Sequence, residues 1–376
     1  MHPCHLAKIL RRKQLVGLLS KAVAQKYEIM TKRLGYIITE ENVTEELCRT
    51  AIIEASKKKR GRAGVKRVLR DLTHYAQKLR EIILCGTYEP SPYKECHIID
   101  RGSKKHRVLH KPKFFPDQCV HHVAIKLIEL RLKARIDTYA IANIKGKGII
   151  YGYKAIKRWL GKDPRHTKYC LKCDIRHCYE NIKPEYVMRA FEKFIKDKKY
   201  LDLIRRIAYS HTSLPLGNYT SAWFENLLLL ELDKLCHENS AHYLRNVDDF
   251  ILIGPNKRKL RNLLLKIALC LAEQGLWLKG NYQVFPIRKR GIDILGYRFY
   301  HTHILLRKRN ALHIMRAARK WRKHKTPHRA RVLLSLTGGI KWFYSNNFRN
   351  KYLVGINKKE LIQYAYRNYQ NARKGL

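Results

Sequence analysis

The segment "HYLRNVDDFILIG", from His242 to Gly254, most constrains what this chain can fold into. Apolar residues on both sides of "NVDD" predict two buried strands joined by a tight turn, because Asn and Asp favour turns. The hairpin then carries Asp248 and Asp249 at its tip. Two interpretations follow: the aspartates are ordinary turn residues, or they are the carboxylates of a functional site.

Acidic residues are scarce in this chain, which has 79 Lys+Arg against 30 Asp+Glu and a net charge of +49. Such an excess repels itself unless a polyanion neutralises it, and nucleic acid is the expected partner. The hydrophobic content of 45% is enough for a packed interior and argues against a mainly disordered chain. Charge indicates the class of partner but no reaction, since histones, ribosomal proteins and RNA enzymes share it.

The ten cysteines are scattered without a secreted disulfide framework, which predicts reduced thiols in a cytoplasm. No apolar run approaches the roughly 18 residues of a membrane span, so no membrane association is expected. "CLKCDIRHC" resembles half a zinc site through Cys170 and Cys173. On a strand these two side chains face apart, which argues against zinc.

Strands and helices alternate around the hairpin, which predicts an α+β fold with helices packed on one face of a sheet. The patterns before the hairpin predict helices within 1–44 and 42–88, two extended pieces around a basic turn, a helix over 117–135, a strand at "KYCLKCDI", helices at "PEYVMRAFEKFI" and "YLDLIRRIAYS", a loop at "LPLGNY", and one long helix at "SAWFENLLLLELDKLCHE" capped by Thr220 or Ser221. The patterns after it predict a helix ending at Gly275, a strand at "ILGYRFY" and a basic helical C-terminal region.

A third aspartate, Asp174, ends the apolar strand "YCLKCDI". A strand-end carboxylate beside a hairpin tip would form an oxygen cage suited to Mg²⁺, which prefers carboxylate, water and phosphate oxygens. Two such ions, about 3.5–4 Å apart, activate a 3′-hydroxyl and stabilise a leaving pyrophosphate. The three aspartates therefore predict a site for nucleotidyl transfer.

Several segments resemble the palm motifs of reverse transcriptases, in order and in spacing. They are "DIRHCYENI", "LPLGNYTSAWFENLLLLELD", "YLRNVDDFILIG" and "ILGYRF". More narrowly, "LPLGNYTS…FEN", "GNYQVFPIRKRGIDILGYRFY" and "THILLRK" resemble the reverse transcriptases of diversity-generating retroelements, a group II intron-like class. The resemblance runs from about Asn42 to "LTGGIKWFYSNN".

The resemblance implies a right-hand polymerase fold and an RNA-directed DNA polymerase that copies a structured template RNA. Its expected parts are a basic N-terminal helical extension (1–44), fingers (45–165), a palm with an antiparallel sheet (166–302) and a helical thumb (303–376). The implied partners are deoxynucleotides, the template RNA, the cDNA/RNA hybrid and a small oligomeric accessory protein.

Carried over by position, the resemblance makes Asp174 and Asp248 the principal ligands of two Mg²⁺ ions, with Asp249 assisting and Mn²⁺ as the alternative metal. Tyr179 would be the steric gate that disfavours a 2′-hydroxyl; the alternative is an aromatic residue on the sheet surface. Gly217 would let the backbone approach the nascent base pair, because it lacks a side chain.

Further nucleotide contacts are implied. Arg107, with help from Lys105, would hold the triphosphate, because a guanidinium suits phosphate oxygens; the alternative is a solvated basic turn. Lys279, or a neighbour one residue away, would lie near the leaving pyrophosphate. Leu216 stands where many other reverse transcriptases have glutamine, and the retroelement enzymes' error-prone copying of adenine is linked to this position.

Two positions depart from the family pattern. Asn246 replaces the usual aromatic at the start of the box that holds Asp248 and Asp249, which should affect only the primer-side contact. Ala222 replaces the glutamine that the retroelement enzymes favour after Ser221, which bears on template behaviour.

The segment "ALHIMRAARKWRKHK" combines an apolar stripe with a basic one. Its apolar residues recur at helical spacing and predict a seam that faces a core: Ala311, Ile314, Ala318 and Trp321. Its basic residues fall on the opposite side: Arg316, Arg319, Lys320 and Lys323. In a chain this basic, phosphate contact is favoured over a merely solvated face, and such contacts position a duplex without reading its sequence.

The alternatives within the enzyme class are reverse transcriptases of the phage-defence or retron kinds, which a neighbouring gene with a repeated variable region would distinguish. A maturase is less favoured, since the resemblance ends with the thumb. A catalytically inactive RNA-binding relative is disfavoured by the three retained aspartates, although Asn246 supports it. A ribosomal-type structural protein does not explain the ordered motifs.

Overall fold

The computed structural model describes residues 33–99 and 106–374, with side chains as far as Tyr366. The chain divides into two compact units. Of the described residues, the first unit comprises those up to 145 together with 174–238 and 264–280, and the second comprises 146–173, 239–263 and 281–374.

The helices, in chain order, are α1 (Glu45–Ser56), α2 (Ala63–Arg70), α3 (Leu72–Leu84), α4 (Cys119–Arg135), α5 (Ile149–Lys162), α6 (Cys178–Asn181), α7 (Pro184–Phe194), α8 (Lys198–Ala208), α9 (Tyr219–Leu228), α10 (Leu230–Asn239), α11 (Lys257–Ala272), α12 (Ile287–Arg290), α13 (Lys308–Lys323), α14 (Pro327–Thr337), α15 (Asn346–Tyr352) and α16 (Lys358–Lys374). The strands are β1 (Lys94–Ile99), β2 (His106–Lys111), β3 (Tyr169–Asp174), β4 (His242–Asn246), β5 (Asp249–Gly254), β6 (Gln283–Pro286), β7 (Ile292–Ile294), β8 (Tyr297–Phe299) and β9 (Ile304–Leu306).

Helix α4 forms the centre of the first unit. It packs against α1, α3 and α9. Every residue from Cys119 to Ile125 is buried, as expected of a helix segment enclosed by others, whereas Leu130 near the end of the helix is exposed. The Tyr200 hydroxyl of α8 donates a hydrogen bond to the Ala124 carbonyl within α4, at 2.6 Å. Strands β1 and β2 form an antiparallel hairpin in the same unit, with Lys94 opposite Lys111 and Ile99 opposite His106.

The second unit is built around a four-stranded sheet in the order β4-β5-β3-β6. Strands β4 and β5 pair antiparallel: His242 lies opposite Ile253 at one end, and Asn246 lies opposite Asp249 at the other. Strand β5 is buried along the run that follows Asp249. A fully apolar run suits a central strand that is covered on both faces.

The C-terminal helices have a core of their own. Helix α14 packs against α13 and α16, and Ala318, Trp321 and Leu333 are buried between them. Ile314 is also buried, whereas Ala311 is half-exposed. The predicted core-facing seam of α13 is therefore confirmed over its last three positions.

One predicted helix is two. The segment from Tyr219 to Asn239 breaks at Leu229, whose φ of −87° and ψ of 10° leave the helical range. No glycine or proline marks the break, which lies within a run of buried leucines. The predicted caps are also wrong: α9 begins after Asn218, and the buried Ser221 hydroxyl instead donates to the Pro215 carbonyl at 2.8 Å.

The segment "ILGYRFY" is a hairpin rather than one strand. Ile294 of β7 pairs with Tyr297 of β8, and Leu295 and Gly296 form the turn. Both turn residues have positive φ, +55° and +86°, the conformation that a two-residue hairpin with right-handed strand twist requires. Leucine is an unusual residue at the first of these positions, so the sequence pattern conceals the turn.

Residues 33–44 form turns and an isolated parallel bridge between Leu34 and Ile195 rather than the predicted helix. The remainder of the predicted N-terminal extension lies outside the described residues. The division into extension, fingers, palm and thumb stays a prediction. Within the described ranges, no helix has the length and apolar character needed to cross a membrane.

Candidate active site

The β4–β5 hairpin has the predicted tip. Asn246 pairs with Asp249 across it, which leaves Val247 and Asp248 as a two-residue turn. Val247 has a φ of +62°, a left-handed conformation that a β-branched residue rarely adopts and that costs about 1–3 kcal/mol. The buried Arg245 side chain donates to the Val247 carbonyl at 3.3 Å, which helps to hold the strained turn.

Strand β3 lies next to β5 in the sheet. Lys172 of β3 approaches Asp249 of β5, with 3.5 Å between Nζ and Oδ1. The same ammonium group donates to the Asp293 carbonyl at 2.6 Å, so the lysine is anchored on two sides. Asp174 is the last residue of β3, two residues beyond Lys172.

Asp174 is itself paired with a lysine. The Lys279 ammonium forms an ion pair with Asp174 Oδ1, and the Lys279 backbone N–H donates to the Asp174 carbonyl at 2.8 Å. Arg176 N–H donates to the Trp277 carbonyl, also at 2.8 Å, so the two segments run antiparallel. This register identifies Lys279 itself, rather than a neighbour, as the lysine that lies against Asp174.

In the part of the chain that the structure describes, no three His, Cys, Asp or Glu side chains converge closely enough to hold a metal. Lysine ammonium groups accompany Asp174 and Asp249 instead. The side chains of Asp174, Asp248 and Asp249 offer carboxylate oxygens, the ligands that Mg²⁺ prefers. The three aspartates therefore have the right kind of ligand atom for the predicted ions, although two of them are paired with lysines, and their role as metal ligands stays a prediction. Cys170 and Cys173 are both buried, and burial raises the pKa of the Cys170 thiol.

Tyr179 lies on α6, five residues beyond Asp174, and is half-buried. Its hydroxyl donates to Glu225 Oε2 at 3.0 Å, and its carbonyl accepts from the Leu214 N–H at 3.2 Å. Sequence reasoning missed Glu225. The signal was present, because an acid within the apolar run "SAWFENLLLL" is unusual in an acid-poor chain.

The loop at 214–218 is hydrogen-bonded to strand β2 of the β1–β2 hairpin. The His110 N–H donates to the Leu216 carbonyl at 3.1 Å. Gly217 has a φ of +114°, which only glycine adopts readily, and a Cβ there would lie 3.6 Å from the His110 carbonyl. Leu216 and Gly217 thus lie against the hairpin that carries Arg107.

A polar cluster beneath this loop was not predicted from the sequence. The Asn218 side-chain amide donates to Tyr93 Oη at 2.7 Å, and Tyr93 Oη also lies 2.7 Å from the Ser210 hydroxyl. The rings of His110 and His211 are 4.3 Å apart. Burial and the neighbouring His110 lower the pKa of His211, while burial raises the pKa of Tyr93.

Arg107 lies on β2, opposite Ile98, with its side chain exposed. Lys105 lies outside the described residues. The basic residues predicted on the outer face of α13 are all exposed: Arg316, Arg319, Lys320 and Lys323. Their exposure is confirmed, whereas their contact with a duplex stays a prediction.

A family model described as "Reverse transcriptase (RNA-dependent DNA polymerase)" matches residues 111–299, just over half of the 376 residues. The chain belongs to the reverse transcriptase family. This membership confirms the predicted enzyme class, an RNA-directed DNA polymerase, and the predicted right-hand polymerase fold.

Among curated proteins, this reverse transcriptase is similar to the group II intron-encoded protein LtrA of Lactococcus lactis subsp. cremoris and to LtrA of its strain MG1363. In each case the identity is 24% over 206 residues, 51% of this chain and 33% of the relative. The chain thus spans about a third of the length of these relatives. The likeness supports a reverse transcriptase of the group II intron-like kind.

Two solved structures are similar at low identity. Telomerase from Candida albicans, solved with a fragment of telomeric RNA, has a TM-score of 0.44 at 12% identity and covers 74% of this chain and 57% of its own. Apo telomerase from Candida tropicalis has a TM-score of 0.42 at 13% identity and covers 61% and 52%. The assignment to the retroelement subgroup stays a prediction.

Proposed function

We propose that this reverse transcriptase copies a structured RNA template into cDNA, with Asp174, Asp248 and Asp249 as its metal ligands. The observation that carries the proposal is the placement of these scarce acids. Two lie at the tip of a strained hairpin, and the third ends β3, a strand of the same sheet. In a chain of net charge +49 these carboxylates are oxygen ligands of the kind that Mg²⁺ prefers.

The proposed cofactor is a pair of Mg²⁺ ions, with Mn²⁺ as the alternative. When bound, the ions would activate the primer 3′-hydroxyl and stabilise the leaving pyrophosphate. Before the ions bind, Lys172 neutralises part of the charge of Asp249, and Lys279 does the same for Asp174. Lys279 would then be placed to interact with the departing pyrophosphate.

The nucleotide side of the site is proposed from the β1–β2 hairpin and the loop that it contacts. Arg107 and Lys105 would hold the triphosphate, because a guanidinium offers several donors to phosphate oxygens. Leu216 and Gly217 would border the nascent base pair, since their loop is hydrogen-bonded to the hairpin. Tyr179 would exclude a ribose 2′-hydroxyl.

The exposed basic face of α13 would contact the phosphates of the cDNA/RNA hybrid. Its charges lie opposite a buried seam, so the helix can present them without losing its core contacts. This division of faces supports the proposed role of the C-terminal helices as a thumb.

Within the family, we propose a cytoplasmic diversity-generating retroelement enzyme of a prokaryote or phage that acts with a small oligomeric accessory protein. The aliphatic Leu216, held by the His110 N–H, supports this choice. With no polar side chain there, the site would copy template adenine with errors. A phage-defence or retron-type enzyme is the alternative.

Primer extension on an RNA template, with Mg²⁺ and the four deoxynucleotides, tests the activity. We expect the wild-type protein to extend the primer and Asp248→Asn not to. Asp202→Asn is the matched control, because Asp202 pairs with Arg206 at 3.1 Å on α8, a helix that carries none of the proposed ligands. Equal extension by wild type and Asp248→Asn would contradict the proposed ligands.

Sequencing of the extended products tests the subgroup. Misincorporation concentrated opposite template adenine is the expected result. Accurate copying of adenine at balanced nucleotide concentrations would instead favour the phage-defence or retron alternative.

A further inference from the structure

Glu225 is the feature of the first unit that the proposed reaction leaves unexplained. It lies within α9 and is 1% exposed. Burying a carboxyl group is costly unless hydrogen bonds compensate for the lost water. An apolar side chain at this position would avoid that cost, so the glutamate is expected to have a specific polar contact.

One such contact is with Tyr179. The tyrosine hydroxyl donates to Glu225 Oε2 at 3.0 Å, a good hydrogen-bond distance. The backbone of Tyr179 is held separately, because its carbonyl accepts from the Leu214 N–H. The ring is therefore fixed at both ends, by the main chain at Cα and by Glu225 at Oη.

A ring fixed at both ends cannot change rotamer without breaking the hydrogen bond. Tyr179 is half-buried, and its hydroxyl is directed to the buried Glu225, so the ring itself is the part left to meet a ligand. Selection by steric exclusion depends on where that ring lies, since a small displacement admits one more oxygen atom. The strictness of selection would then depend on the residue that holds the ring.

We propose that Glu225 is a positioning residue that holds the Tyr179 ring and so sets how strictly ribonucleotides are excluded. The inference rests on the proposed role of Tyr179 as the steric gate. If Glu225 only stabilises the packing of α9, its replacement would lower stability and leave nucleotide selection unchanged.

The test is single-nucleotide insertion on an RNA template, with kcat and KM measured for one deoxynucleotide and for the matching ribonucleotide. Glu225→Ala and Tyr179→Phe each remove the hydrogen bond. We expect each to lower the kcat/KM for the deoxynucleotide, relative to that for the ribonucleotide, by about tenfold, the upper end of the effect of one hydrogen bond. Glu225→Gln keeps an acceptor of the same shape and should retain most of the selection. The double variant Tyr179→Phe/Glu225→Ala should match the single variants, because both remove the same bond.

Tyr179→Phe protects the test against misfolding, since it removes one hydroxyl and leaves the packing in place, whereas Glu225→Ala opens a cavity. Thermal unfolding of each variant serves as the folding control. Wild-type selection in Tyr179→Phe and Glu225→Ala would overturn the proposal, provided that Tyr179→Ala admits ribonucleotides. If Tyr179→Ala also keeps wild-type selection, the gate itself is refuted, and the role of Glu225 with it. Failure of the wild-type protein to extend any primer would instead count against the proposed polymerase activity.

Discussion

Two neighbouring histidines on α4 make stability sensitive to mild acid. His121 and His122 are both buried, and among the described residues neither Nδ1 atom has a hydrogen-bond partner. Burial lowers the pKa of His121 to about 3 and that of His122 to about 4, from an ordinary value of 6.5. The His122 ring also stacks on Tyr219, with 3.8 Å between ring centroids.

Proton linkage determines whether the protein gains or loses stability as the pH falls. Below pH 6.5 the unfolded chain protonates both histidines while the folded protein keeps them neutral, so the unfolded state binds more protons. The stabilisation is fully present above pH 6.5 and is lost as the pH falls towards the folded-state pKa values. Between pH 7 and pH 5 each histidine lowers the free energy of unfolding by about 2 kcal/mol.

Urea unfolding at pH 7, 6 and 5 would measure this effect. In His121→Phe, which keeps an aromatic ring of similar size, we expect the loss of stability between pH 7 and pH 5 to shrink by about 2 kcal/mol relative to wild type. The exposed His324 provides the control, and His324→Phe should keep the wild-type pH dependence. An unchanged pH dependence in His121→Phe would refute the reasoning.

Three further expectations concern single residues. Val247→Gly should raise the free energy of unfolding by about 1 kcal/mol, because relief of the strained turn exceeds the added entropy of the unfolded glycine; a lower urea midpoint would contradict the strain. Trp321→Ala should cost about 3–5 kcal/mol, since Trp321 is buried in the core of the C-terminal helices, whereas Trp277→Ala, at an exposed position, should cost little. Equal losses from the two tryptophan variants would exclude this core as the source. Arg319→Gln should weaken binding of an RNA–DNA hybrid and reduce its salt dependence by about one phosphate contact. Lys78→Gln on α3 is the matched control, and equal weakening in both would show that the α13 face has no special role.

Local patterns were enough to predict much of this chain. The apolar run around "NVDD" predicts the β4–β5 hairpin, and helical spacing predicts the buried Ile314, Ala318 and Trp321, because both depend on alternation within one segment. The enzyme class followed from motifs whose order and spacing lie in the sequence itself. The hidden turn at Leu295 was missed because a leucine with positive φ has no local signature.

The contacts of the site lie between segments distant in sequence, and only the tertiary structure reveals them. Tyr179 and Glu225 are separated by 46 positions, and Asp174 and Lys279 by 105. Periodicity indicates which face of a strand or helix is buried but not which residue of another segment it meets. The sequence by itself determined the acids, the hairpin and the basic face of α13. Folding decided which lysines neutralise those acids and which buried carboxyl group holds the tyrosine, because those pairings depend on how segments pack in three dimensions.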